Sequence, residues 1–181
     1  LEELASDPRT KLLILSSPHN PVGRVWTAEE LRKACEICLK HNVLVVSDEI
    51  HGDLIMKGHK HVPTGTLGED IANNMIACYA PSKTFNLAGL GASVIVVPNP
   101  EIRDRIKKRI LANRLPASNV FGPLAGEVAY KTGDSYVDTL VEYVEGNMDY
   151  VSDFCKANMP EITVRKSEGT YMVWVDLRKL G

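Results

Sequence analysis

No apolar run in this chain is long enough to cross a bilayer. Runs such as residues 43–46 and 94–97 fall far short of the roughly 20 residues a spanning helix needs. Charge of one sign is not in excess: 21 Lys and Arg stand against 23 Asp and Glu, a formal −2. That balance gives no general electrostatic reason to bind nucleic acid or an anionic membrane. A disulfide framework is also missing, since Cys35, Cys38, Cys78 and Cys155 are scattered, and a reduced, cytoplasmic setting is expected. Cys35 and Cys38 form a C-x-x-C, but within a helical pattern and without a second Cys or His pair at zinc-site spacing. They are read as core or helix-surface thiols rather than a redox or metal pair. The start, Leu1-Glu2-Glu3-Leu4, lacks the basic and apolar regions of a signal peptide and has no initiator Met, so the chain is expected to begin inside a longer one. There is no internal repeat and no low-complexity segment. A dinucleotide-binding fingerprint is absent as well: residues 17–23 are not one, and Gly89-Leu90-Gly91 is too short a signal.

What is present is ordinary globular composition, 44% hydrophobic and 24% charged over 181 residues, enough for one substantial core. Residues 11–16 read as a short buried strand, followed by a stretch rich in Pro and Gly that forbids regular structure. Thr27 with Glu30 forms a capping box opening a helix over residues 28–41. Residues 43–47 form a second strand without polar alternation, as expected where both faces are covered. This strand–helix–strand order predicts a parallel sheet with crossover helices. A long glycine-bearing loop follows Asp48, with a third strand at residues 75–79 and a fourth at 93–97. Helices are expected at 101–111, 120–130 and 136–157, and two strands at 162–164 and 171–175 turn at Glu168-Gly169. The expected fold is therefore α/β, a three-layer sandwich with a mostly parallel sheet over residues 1–133. Residues 134–181 supply an interdomain helix and the beginning of a smaller α+β domain.

Three polar residues fall just beyond the carboxyl ends of predicted buried strands: Asn20 after the first, Asp48 after the second and Lys83 after the third. Ligand crevices of open α/β sheets lie there. Each residue alone has an ordinary reading, as a turn former, a cap or a solvated surface lysine. Together they match the needs of pyridoxal 5′-phosphate, an electron sink carried on a lysine Schiff base whose pyridine nitrogen an acidic residue keeps protonated. A neutral amide can hydrogen-bond the ring oxygen without cancelling the sink. The lysine must shed its proton to act as nucleophile or base, which a semi-buried cationic neighbourhood promotes.

Ser17-Pro18-His19-Asn20-Pro21-Val22-Gly23-Arg24-Val25-Trp26, Ser47-Asp48-Glu49-Ile50-His51 and Ala80-Pro81-Ser82-Lys83-Thr84-Phe85-Asn86 resemble segments of the class I/II aminotransferases, a superfamily of fold-type I pyridoxal-phosphate enzymes. More narrowly they resemble its MalY/PatB branch of cystathionine β-lyase-type C–S lyases, as does Gly169-Thr170-Tyr171-Met172-Val173-Trp174. The resemblance covers nearly the whole chain. It implies that Lys83 forms the Schiff base and serves as general acid and base, that Asp48 pairs with the pyridine nitrogen, and that Asn20 contacts the ring hydroxyl oxygen. His51 stands where most such aminotransferases have a Tyr contacting that oxygen, and a structural loop histidine is the competing reading. Ser82 is expected at the phosphate, Tyr79 either in the pocket or in the core, and His59 and His61 at the surface.

Many aminotransferases of this type carry Ser or Thr three residues before the lysine and Arg eight after it, both on the phosphate. Here those positions hold Ala80 and Gly91, which favours the lyase branch. Arg109, Arg114 and Arg165 are read as surface arginines and not as substrate-carboxylate ligands. The implied activity is release of thiol, pyruvate and ammonia from a sulfur amino acid such as cystathionine, by a full-length homodimer, with little turnover from these 181 residues alone. A class I/II aminotransferase shares every residue visible in this sequence and is the first alternative. A non-catalytic sensing or binding module is the second.

Overall fold

The computed structural model describes residues 1–115 and 119–180. Its main sheet has the order β1 (Leu12–Ser16), β2 (Leu44–Asp48), β3 (Met75–Tyr79), β4 (Val94–Val96). The first three strands are parallel and in step, with Leu13, Val45 and Met75 side by side and Ser16, Asp48 and Cys78 three residues further on. The fourth runs antiparallel, pairing Val94 with Tyr79. The sheet is thus mostly parallel, as expected.

Helix α2 (Ala28–Lys40) carries the first crossover, and its start follows the sequence signal. Thr27 Oγ1 accepts from Glu30 N at 3.2 Å while the Glu30 carboxylate accepts from Thr27 N at 3.0 Å. Two orphan donors of the first turn are thereby satisfied. Leu31, Cys35 and Cys38 form its buried face and pack against Val43, Val45, Met75 and Ala77 of the sheet. Ala5 of α1 (Glu2–Ser6) and Ile71 of α3 (Glu69–Asn73) complete this core. Both cysteines are therefore core thiols, and burial pushes Cys35 up to about 11.

Burial alternates along β2, with Val45 and Ser47 buried and Leu44, Val46 and Asp48 half-exposed. The described helices that form the core lie on one face only. The other face presents Leu12, Ile95 and Ile14, the last 71% exposed, so among the described residues it is covered only in part. Helix α5 (Pro100–Ala112) reaches the amino ends of the strands, where Leu44 and Ile76 share an apolar groove of about 820 Å3 with Ile102 and Ile106.

Three short helices escape the sequence reading: α1, α3 and the single turn α4 (Pro81–Thr84). Helix α6 (Phe121–Thr132) lies against α4, and α7 (Asp134–Asn158) follows at once. A close approach explains Gly126 in α6, since a Cβ there would come within 3.3 Å of Pro81 Cγ. Strand β5 (Thr163–Arg165) pairs antiparallel with β6 (Trp174–Asp176). Lys166 ties this pair to α7 through Glu145 and Asp149, at 3.3 and 2.9 Å. β6 starts at Trp174 rather than at residue 171. The segment before it is a turn, with Thr170 at φ 68° and the Ser167 hydroxyl donating to the Met172 carbonyl.

The capping box is directly testable. Thr27→Ala is expected to destabilise the protein by about 1 kcal/mol in urea denaturation, and Thr27→Ser by only a few tenths.

Candidate active site at the carboxyl ends of the strands

Because β1, β2 and β3 are parallel and in step, the segments after Ser16, Asp48 and Tyr79 all leave the same edge of the sheet. The first is a tight turn. The Ser16 hydroxyl donates to the Pro18 carbonyl at 3.1 Å and accepts from Asn20 N at 3.1 Å. Gly23, at φ 75°, donates its N–H to the His19 carbonyl at 2.7 Å. Asn20 itself is exposed, and its side-chain amide has no hydrogen-bond partner among the described residues.

The second segment separates two consecutive carboxylates. Asp48 is half-exposed and accepts only from Ile50 N, at 3.3 Å. Glu49 points to the opposite side and is buried. It accepts from Ser47 Oγ (2.8 Å), Thr64 N (3.0 Å) and the Tyr79 hydroxyl (2.8 Å), and meets His61 Nε2 at 3.1 Å. Burial alone would raise the Glu49 pKa, but the four hydrogen bonds outweigh it and hold the carboxyl below its ordinary value. Two expectations are settled here. Tyr79 belongs to this core network, where burial first and Glu49 second push its phenol well above the usual range. His61 is not a surface residue: its side chain is only 10% exposed and paired with Glu49. His59 is exposed, as expected.

His51 is 2% exposed, and neither ring nitrogen has a hydrogen-bond partner among the described residues. Buried polar atoms are rarely left so. Its ring meets Tyr171 edge-on, with centroids 5.5 Å apart. Burial lowers the imidazole pKa, the nearby Lys83 charge lowers it further, and Asp48 opposes both. His51 therefore lies within electrostatic reach of both predicted groups and is held towards its neutral form.

Lys83 and Ser82 sit in α4, which opens with Pro81 at its first position. Phe85 N closes the turn on the Pro81 carbonyl at 2.9 Å, and Leu87 N bonds the Ser82 carbonyl at 3.1 Å. Neither the Lys83 amine nor the Ser82 hydroxyl has a partner among the described residues, and both residues are half-buried. Thr84, next in the chain, is fully buried and donates to Asp53 at 2.8 Å. The amine, carboxylate, amide, imidazole and hydroxyl thus share one edge of the sheet with spare hydrogen-bonding capacity. Arg109, Arg114 and Arg165 are exposed on α5, just beyond it and on β5.

One tie had no local signal. Residues 167–170 lie between the first two segments and bind both. Glu168 N and Gly169 N donate to the Gly23 carbonyl at 2.8 and 3.0 Å, and the Glu168 carboxylate accepts from Val25 N at 2.8 Å. On the other side, Met56 N donates to the Glu168 carbonyl and Thr170 N to the Leu54 carbonyl, at 2.9 and 2.8 Å. No Cβ fits on Gly23, which would meet Ser167 Oγ at 2.2 Å.

The profile of one family, aminotransferase class I and II, matches residues 1–180. The chain belongs to that family. Cystathionine β-lyase PatB of Bacillus subtilis is 43% identical to it over 181 residues, the whole of this chain and 47% of that protein. Protein MalY of Escherichia coli is 32% identical over 99% of the chain and 46% of its own length. Among solved structures, cystalysin of Treponema denticola, which contains pyridoxal 5′-phosphate, superposes with a TM-score of 0.96 at 42% identity, over 99% of this chain and 45% of that one. The chain therefore spans under half the length of these relatives.

The Glu49 network gives a pH prediction. A folded-state pKa below the ordinary 4.5 means the carboxylate adds stability above that value, which is lost as pH falls through the lower folded value. Glu49→Gln keeps the shape but offers one acceptor oxygen to four donors. It should cost roughly 1–3 kcal/mol at pH 7 and flatten the acid limb of stability against pH, measured by urea denaturation across the acid range.

Proposed function

We propose that this chain is the central part of a pyridoxal-phosphate-dependent C–S β-lyase acting on sulfur amino acids of the cystathionine type. The observation that carries the cofactor is His51: a buried imidazole with both nitrogens unpartnered among the described residues, within electrostatic reach of Asp48 and Lys83. Such a group is satisfied by a polar ligand seated at the strand ends. The free Asn20 amide, Ser82 hydroxyl and Lys83 amine, and the nearly free Asp48 carboxylate, fit the same ligand.

When bound, pyridoxal phosphate supplies an electron sink for negative charge at the substrate α-carbon. Asp48 holds a proton on the pyridine nitrogen by charge attraction. Asn20 would donate to the ring oxygen, and so would His51, whose neutral imidazole keeps one N–H for that bond. Ser82 contacts the phosphate. Lys83 would hold the cofactor through its amine, and Nζ would serve as the base that takes the substrate α-proton and as the acid that carries it on to the leaving sulfur. The overall conversion this would support is loss of a thiol from the β-carbon, the proton taken from the α-carbon going to sulfur, with one water completing release of pyruvate and ammonia.

Two features favour the lyase over a transaminase. The name of PatB, 43% identical, is that of a cystathionine β-lyase. Ala80 and Gly91 occupy the two positions where many aminotransferases hold phosphate with Ser or Thr and Arg. The same residues would serve an aminotransferase, in which the proton from the α-carbon is returned to the cofactor. The proposed whole is a homodimer in the cytoplasm. Four cysteines without disulfides support the compartment. Exposed Phe121, Leu124 and Val128 on α6 offer apolar surface for packing against further protein.

Two measurements on the full-length protein test this reading. Lys83→Ala is expected to abolish the visible absorbance of lysine-linked cofactor; a variant that keeps the band removes Lys83 from its role. With cystathionine alone, the wild type is expected to release pyruvate without a keto-acid acceptor. Strict dependence on an acceptor would instead establish the aminotransferase.

A further inference from the structure

Near Lys83 lies a carboxylate for which the chemistry above has no use. Asp53, two residues beyond His51, accepts a hydrogen bond from the Thr84 hydroxyl at 2.8 Å, and the Tyr130 hydroxyl reaches the same oxygen at 3.4 Å. Thr84 directly follows Lys83 and is fully buried. Asp53 in turn moves with the segment that carries Asp48 and His51. Gly52 N donates to the Glu49 carbonyl at 2.8 Å and Leu54 N to the His51 carbonyl at 3.0 Å, and Leu54 is buried. The Asp53–Thr84 bond therefore joins the segment after β2 to the turn after β3.

Helix α4 is four residues long. A single turn has no stability of its own, because nucleating a helix fixes several residues for one hydrogen bond. The direction of Lys83 must come from tertiary ties. Pro81 rests on Gly126, and Asn86 at φ 54° turns the chain away after the helix. Neither feature relates Lys83 to Asp48 or His51; the Thr84–Asp53 bond does. A hydrogen bond to a carboxylate is among the stronger kinds available for this purpose.

Resting on the reading of Lys83 as the cofactor-bearing lysine, we propose that Asp53 is a positioning residue: by holding the Thr84 hydroxyl it sets Lys83 against Asp48 and His51. It touches neither substrate nor cofactor. Its effect falls on the proton transfer by Lys83 and not on retention of the cofactor, since small misplacements of a reacting group cost far more rate than binding.

The test uses full-length holoenzyme and three variants: Thr84→Val, which keeps the shape without the hydroxyl, Thr84→Ser, which keeps the hydroxyl, and Asp53→Ala. Two quantities are read per cofactor bound: the pH titration of the cofactor absorbance, and exchange of the substrate α-proton with deuterated solvent by NMR. Thr84→Val and Asp53→Ala are expected to hold cofactor, to shift the titration midpoint, and to slow exchange roughly ten- to a hundredfold with a smaller change in KM. Thr84→Ser is expected to behave as wild type. Wild-type titration and exchange in Thr84→Val and Asp53→Ala would overturn the proposal, including where those variants are merely less stable. Should Thr84→Val not fold, Asp53→Asn is read by the same two measurements. Failure of the underlying reading is separately visible, because Lys83→Ala would then keep the absorbance band.

Discussion

The arrangement depends on one constraint, the parallel, unstaggered pairing of β1, β2 and β3. It aligns Ser16, Asp48 and Cys78 across the sheet, so the segments that follow emerge side by side. Parallel strands need crossovers, which return the chain to the far edge each time, and this keeps every following segment at the same end. The antiparallel fourth strand adds something different. Since Val94 pairs with Tyr79, the stretch bearing Lys83 both leaves and re-enters at that end. Lys83 is thus held in a loop whose two feet are hydrogen-bonded neighbours.

Consecutive residues at the end of β2 have opposite environments. Asp48 faces the open edge and, among the described residues, its carboxylate accepts only from Ile50 N. Glu49 faces the core and is saturated by four partners from three stretches of sequence. A buried charge is tolerated only when it is fully hydrogen-bonded, and Glu49 meets that condition. The nearly unpartnered carboxylate is thereby followed in the chain by one whose bonds are all made within the fold.

The strands were legible because each is a short apolar run, and α2 because Thr27 and Glu30 announce it. The placement of Asn20, Asp48 and Lys83 after strands that end at one edge of the sheet followed from the strand ends alone. Helices α1, α3 and α4, at five, five and four residues, are too short to show a helical period. His61 looked like surface because Lys57 to Lys60 beside it is polar and exposed; its partnership with Glu49 is tertiary. The bond from Val25 to Glu168 spans 143 residues and leaves no trace in either local pattern. The late start of β6 has the same origin, because residues 167–170 are engaged in clasping two distant loops rather than in pairing.

The alternation at Asp48 and Glu49 fixes a reading frame for the strand. Side chains of a strand point to opposite faces in turn, so a one-residue insertion or deletion within β2 would exchange the two carboxylates. The saturated one would face the open edge, and the unpartnered one would enter the core among donors spaced for a longer side chain. A point change on either face alters one side chain and leaves the alternation intact. A change in the count of residues shifts every side chain after it, and this five-residue strand is accordingly intolerant of a shift in length.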